Sequence, residues 1–202
     1  MTLSPRAEAK RTQILDGARR VFLAHGLAGA NTNTLAAEAG VSKQTLYAYF
    51  PSKHALLAAV LERELGPLSL PAGPVPESLA ELDAILLRFA RTIFSHFLTP
   101  DAISLLRILV GEAVRQPDLR QSFRETVPLQ LLATVRGIFA HAHARGLVDA
   151  PQPEYPARLF LGTVMSYMAL DGLLSDQPPV SPSDATLAHF VHLCLRAVEK
   201  RN

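Results

Sequence analysis

Apolar side chains recur at three- and four-residue intervals from Ile14 to Val198, and almost no stretch alternates residue by residue. That period gives each segment one helical face for a core and leaves strands little to build on. The chain is therefore expected to be all-α. In the first run Ile14, Ala18, Val21, Phe22 and His25 share a stripe, and Gly26 supplies a left-handed stop. Asn31 caps a second helix over residues 32–39, which Gly40 ends. Ser42 caps a third, which Pro51 terminates, and Ser52 caps a fourth holding Leu56, Leu57, Val60 and Leu61.

Residues 66–76, GPLSLPAGPVP, contain four prolines and two glycines, so no helix continues through them. They divide a helical head, residues 1–65, from a larger helical body, residues 77–202. The body opens with an amphipathic helix carrying Leu79, Leu82, Leu86, Phe89, Ile93 and Phe97. Pro100 and Asp101 start a helix that runs to about Arg115. Pro117 starts another, expected to kink near Pro128 and to end at Gly146. A helix over 156–175 follows, then a last one with Leu187, Phe190, Val191, Cys194, Leu195 and Val198.

At 202 residues, 49% hydrophobic and 19% charged, the chain is long and apolar enough to bury a core. Its one cysteine, Cys194, excludes an intramolecular disulfide and suits a reducing compartment. The N-terminal residues lack the apolar core of a signal peptide. The most apolar run, 159–174, is too short for a bilayer and carries Thr163, Ser166 and Asp171. A cytoplasmic protein with no membrane partner is expected. Net charge is only +2, but residues 1–65 hold eight Lys/Arg against five Asp/Glu. The basic excess of the head favours an anionic partner.

Leu35, Ala36, Gly40, Val41 and Leu46 describe two helices crossing at a tight turn. Ala36 is small where they approach, and Gly40 takes the positive φ. With Leu46 and Phe50 turned inward, Lys43, Gln44, Thr45, Tyr47 and Tyr49 are left on the open side. This is the pattern of a helix-turn-helix whose second helix enters the major groove. Gln44 suits an adenine edge, and Thr45 suits a hydrogen bond or a thymine methyl. The hydroxyls of Tyr47 and Tyr49 suit phosphate. So does Lys53 at the start of the fourth helix, as do Asn31, Thr32 and Asn33 at the start of the second. Ser42 completes the expected DNA-contacting set.

Residues 10–57, with Gly26, AGVS at 39–42, LYAYF at 46–50 and SK at 52–53, closely resemble the N-terminal domain of TetR-family transcriptional regulators. The resemblance implies an all-helical homodimer and a C-terminal domain that binds an unknown small-molecule effector; a two-fold dimer in turn predicts a palindromic double-stranded operator. Gln44 stands where the family most often has a small residue, and Asn33 where a charged one is common. Both departures are expected to shift operator choice. Residues 117–174 loosely resemble the multidrug-regulator branch.

Other constellations carry less. His141 and His143 are two apart, on opposite sides of a helix, and cannot share a metal. His189 and His192 can face one way, but no third ligand accompanies them. No phosphate loop, acid/base pair or nucleophile motif is present, so neither enzyme activity nor a cofactor is expected. The body is apolar and aromatic, which suits a pocket for a mostly apolar ligand. Phe89, Ile93, Phe97, Ile108, Leu109, Phe123 and Val164 are its candidate walls. The fourth helix is expected to be the only one linking head to body.

Apolar residues surround nearly all of 156–175. That helix is therefore either central to the body or shared between its core and a second copy, and we favour the second. Leu159, Val164, Met168, Leu187, Val191, Cys194 and Leu195 are the expected dimer seam. The reading is a repressor released from its operator by a ligand. An activator, a nucleoid-type binder and a helical enzyme are the alternatives.

Overall fold

The computed structural model describes residues 4–66 and 75–200. Among them are ten α-helices, one π-helical stretch and no strand. The helices are α1 (Pro5–Gly29), α2 (Thr32–Glu38), α3 (Lys43–Tyr49), α4 (Lys53–Leu65) and α5 (Leu79–Phe97). They continue as α6 (Pro100–Ala113), α7 (Pro117–Thr126), α8 (Pro128–Ala144), α9 (Glu154–Tyr167) and α10 (Asp184–Arg196). The all-α expectation holds. Most of the proline-rich boundary, residues 67–74, lies outside the described residues.

The described chain divides into two compact units, residues 4–66 with 104–121 and residues 75–103 with 122–200. Helices α6 and α7 therefore each run from one unit into the other. The fourth helix had been expected to hold that role alone.

In the first unit α1 packs on both α2 and α4. Ile14, Leu15, Ala18, Val21 and Phe22 are buried along it, with Leu35, Leu46, Leu56, Leu57, Val60 and Leu61 from the other helices. His25, expected on the apolar stripe, is exposed, one residue before the kink at Gly26 (φ 62°). Charges also tie α1 to α4. The guanidinium of Arg63 pairs with Asp16 at 2.9 Å and with Glu64 at 2.7 Å, and Arg19 Nε lies 3.1 Å from Glu64 Oε2 as a further ion pair.

In the second unit α5 packs on α9 and α10, and α8 packs on α9. Phe160 of α9 joins the three layers, its ring 6.0 Å from Phe89 and 5.1 Å from Phe190. Tyr167 meets Phe94 edge-on at 5.6 Å. Pro128 divides two helices instead of kinking one. It lacks the N–H that a continuing helix needs and sits at the first position of α8, where none is needed. The helix predicted over 156–175 starts at Glu154, and its C-terminal part, Met168–Leu173, is π-helical.

The seam residues expected from sequence need reassignment. Val164, Met168, Leu187, Val191 and Cys194 are buried within the unit's own core. Leu195 is half-buried. Side chains so nearly covered offer a second copy little surface. Leu159, 48% exposed, does remain open, together with Met165 at 44% and Leu193 at 53%. Among the expected pocket walls, Phe89, Ile93, Phe97, Phe123 and Val164 belong to this unit, whereas Ile108 and Leu109 belong to the first.

Candidate nucleic-acid interface

Two seven-residue helices and one turn build the site. At the end of α2, Gly40 adopts φ 61°. The Gly40 N–H donates to Ala37 O and the Val41 N–H to Ala36 O, both at 3.0 Å. This paired closure satisfies carbonyls that the helix end would leave open, and it needs the left-handed residue.

Each helix start is capped as the sequence indicates. Asn31 Oδ1 accepts from the Thr34 N–H at 2.9 Å, Ser42 Oγ from Thr45 at 3.1 Å, and Ser52 Oγ from Ala55 at 3.0 Å. Ser42 Oγ also lies 2.9 Å from Thr45 Oγ1. Asn31 and Ser42 thus spend their side-chain oxygens on the first amides of their own helices.

Leu46 and Phe50 are buried, and the Arg11 guanidinium lies 5.6 Å over the Phe50 ring. Lys43, Gln44 and Asn33 are exposed, whereas Thr32, Thr45 and Tyr49 are half-buried. Tyr47 is 49% exposed, with its hydroxyl 2.9 Å from Thr32 Oγ1. Lys53 Nζ donates to Leu27 O at 2.9 Å, beside the end of α1. An ammonium has three donors, so this bond and a phosphate contact are compatible. Sequence reasoning assigned no role to Gln13 or Arg20. Their partners lie 26 and 18 residues away, beyond any spacing rule.

Elsewhere the histidines bond backbone. His141 Nδ1 lies 2.8 Å from Gly137 O, and His143 Nδ1 lies 3.2 Å from both Val148 O and the Ala150 nitrogen. No group of three or more His, Cys, Asp or Glu is placed to hold a metal among the described residues. Burial pushes the Cys194 thiol up to about 11. No single helix among the described residues is long and apolar enough to cross a membrane.

A tight two-helix crossing with a polar second helix, seated on an apolar first helix, defines a helix-turn-helix DNA-binding regulator. The family model of the tetR-family bacterial regulatory proteins matches residues 14–60. That of the AefR-like transcriptional repressor C-terminal domain matches residues 84–198. The chain belongs to the TetR family of transcriptional regulators.

It is 32% identical to the HTH-type transcriptional regulator EthR of Mycobacterium tuberculosis, over 100% of this chain and 92% of that protein. Against the transcriptional repressor SCO4008 of Streptomyces coelicolor, identity is 38%. That match spans only 36% of this chain and 38% of that protein. The solved structure of the flavonoid-responsive regulator FrrA superposes with a TM-score of 0.73 at 28% identity, covering 96% of this chain and 100% of that one. The body thus matches the AefR-like domain, a more definite assignment than the loose likeness to multidrug regulators.

Proposed function

We propose that this chain is a cytoplasmic repressor that binds a palindromic operator as a homodimer and releases it when a small, mostly apolar ligand occupies the second unit. The open face of α3 carries the reading. Lys43, Gln44 and Tyr47 are displayed there in a row, while every large apolar side chain of the helix turns inward. On this reading Gln44 and Thr45 contact bases. Lys43, Tyr47, Tyr49 and Lys53 hold phosphates, joined by Asn31, Thr32, Asn33 and Ser42 at the two helix starts.

A dimer is supported by the apolar residues that α9 and α10 leave open. Leu159 and Met165 lie six apart on α9, and Leu193 lies on the adjoining α10. A two-fold pairing of these helices matches a palindromic operator, whose half-sites fall in successive major grooves about 34–36 Å apart. Ligand responsiveness is supported by the aromatic cluster of Phe89, Phe160 and Phe190 and by the responsiveness of FrrA. Flavonoids are therefore the first ligands to test. Catalysis plays no part in this reading.

The test selects duplexes from a random pool with the purified protein, then measures flavonoid affinity with and without saturating selected duplex. Antagonism of roughly 1–3 kcal/mol, equal in both directions, is expected. Failure to enrich a palindrome refutes operator binding as a dimer. Equal flavonoid affinity in both states refutes flavonoid-driven release.

A further inference from the structure

Helix α1 directs three residues at positions i, i+4 and i+7 toward the end of α2. Gln13 Nε2 donates to Ala39 O at 2.7 Å. Arg20 donates through Nε to Glu38 Oε1 at 2.5 Å and through Nη2 to Glu38 O at 3.2 Å. Between them Gly17 is buried. A β-carbon on Gly17 would stand 2.6 Å from both the Cα and the backbone nitrogen of Ala39. Backbone atoms cannot swing aside as a side-chain end does, so α2 would have to move. Lys10 Nζ donates to Gln13 Oε1 at 2.9 Å, which orients the Gln13 amide with its nitrogen toward Ala39.

Ala39 is the C-terminal cap of α2 and opens the turn into α3. Glu38 and Ala39 carry carbonyls that the end of α2 leaves without helical partners. The α1 row therefore fixes, by one close contact and two sets of hydrogen bonds, the point from which α3 departs. We infer that Gln13, Gly17 and Arg20 are positioning residues that set the angle of the recognition helix and so govern discrimination between DNA sequences. This rests on the reading that α3 carries the base contacts.

The physical reason is a difference in tolerance. A hydrogen bond to a base edge works only over roughly 2.7–3.2 Å and near-linear angles. Attraction to phosphates falls off over a Debye length, about 8–10 Å. A shift of about an ångström at Ala39 therefore removes the first while leaving the second.

The experiment compares dissociation constants for a duplex selected by the wild type and for a scrambled duplex of equal length. Gly17→Ala forces the contact, and Gln13→Met removes the amide at an exposed position without adding charge. Each is expected to lower the ratio of the two affinities roughly tenfold, about 1.4 kcal/mol. Scrambled-duplex affinity and the thermal midpoint of Gln13→Met should stay near wild type. The amide resonances of Gly40 and Val41 should shift in both variants, a change that general destabilisation would not confine to the turn. Should Gly17→Ala fail to fold, Gln13→Met decides alone. A discriminating wild type beside a folded Gln13→Met that discriminates equally overturns the inference. A wild type that enriches no sequence overturns the reading of α3 and this inference with it.

Discussion

The hydroxyl of Tyr47 on α3 and that of Thr32 at the start of α2 meet at 2.9 Å. They close the crossing of the two helices on its exposed side. Tyr47→Phe removes that bond while keeping the ring. A loss of roughly 0.5–1.5 kcal/mol at most is expected, with weaker binding to every duplex and an unchanged salt slope. Urea titration and binding titrations at several salt concentrations check both parts.

Lys53 has one bond in the structure, to Leu27 O, and one proposed phosphate contact, which substitutions can separate. Lys53→Gln keeps a side-chain donor, one bond shorter than the ammonium, but carries no charge. The slope of log affinity against log salt should fall by roughly 0.9, with stability near wild type. Lys53→Ala should lose the slope and the bond together. An unchanged slope in Lys53→Gln would remove Lys53 from the phosphate contacts.

Gln44→Ala should relax preference at one base pair in each half-site. The discrimination lost there is roughly 1–3 kcal/mol, while affinity for scrambled DNA stays the same. Competition among duplexes varied at single positions reads this directly.

On α10, Val191 is 0% exposed and Leu193 is 53% exposed. Val191→Glu buries an unpaired carboxylate at a cost of several kcal/mol and should abolish folding. Leu193→Glu should fold normally and sediment as a monomer. A Leu193→Glu protein that stays dimeric would move the seam away from this face.

Cys194 binds its proton more tightly in the folded chain than in the unfolded one, its thiol being raised from 9.0 to about 11 by burial. Below pH 9 both states are protonated and stability is unaffected. Between about 9 and 11 only the unfolded chain has lost the proton, so stability should fall as pH rises through that window. At neutral pH a thiol reagent should leave the native protein unmodified and label it in denaturant. Rapid labelling of native protein would contradict the burial.

How much was legible in the sequence depended on the separation of the interacting residues. Asn31, Ser42 and Ser52 could be read as caps because a cap bonds an amide three residues on. The turn at Gly40 was equally local. The bond from Gln13 to Ala39 and that from Arg20 to Glu38 cross 26 and 18 residues. Neither polar residue differs in type from its solvated neighbours. The outward side of α10 is hard to read from sequence for another reason. Leu193 and Val191 are both apolar, and only the packing against α5 and α9 decides which is inside. The π-helical end of α9 has no marker in its residue types.

The recognition helix has only seven residues, as does the helix before it. Isolated helices shorter than about 12–15 residues are marginal in water, so α3 owes its form to what it rests on. Binding preference is consequently not a portable property of 43–49. Grafting those residues onto the head of a distant relative would carry over the letters without the posture. A faithful exchange of operator preference would have to transplant the supporting face of α1 as well.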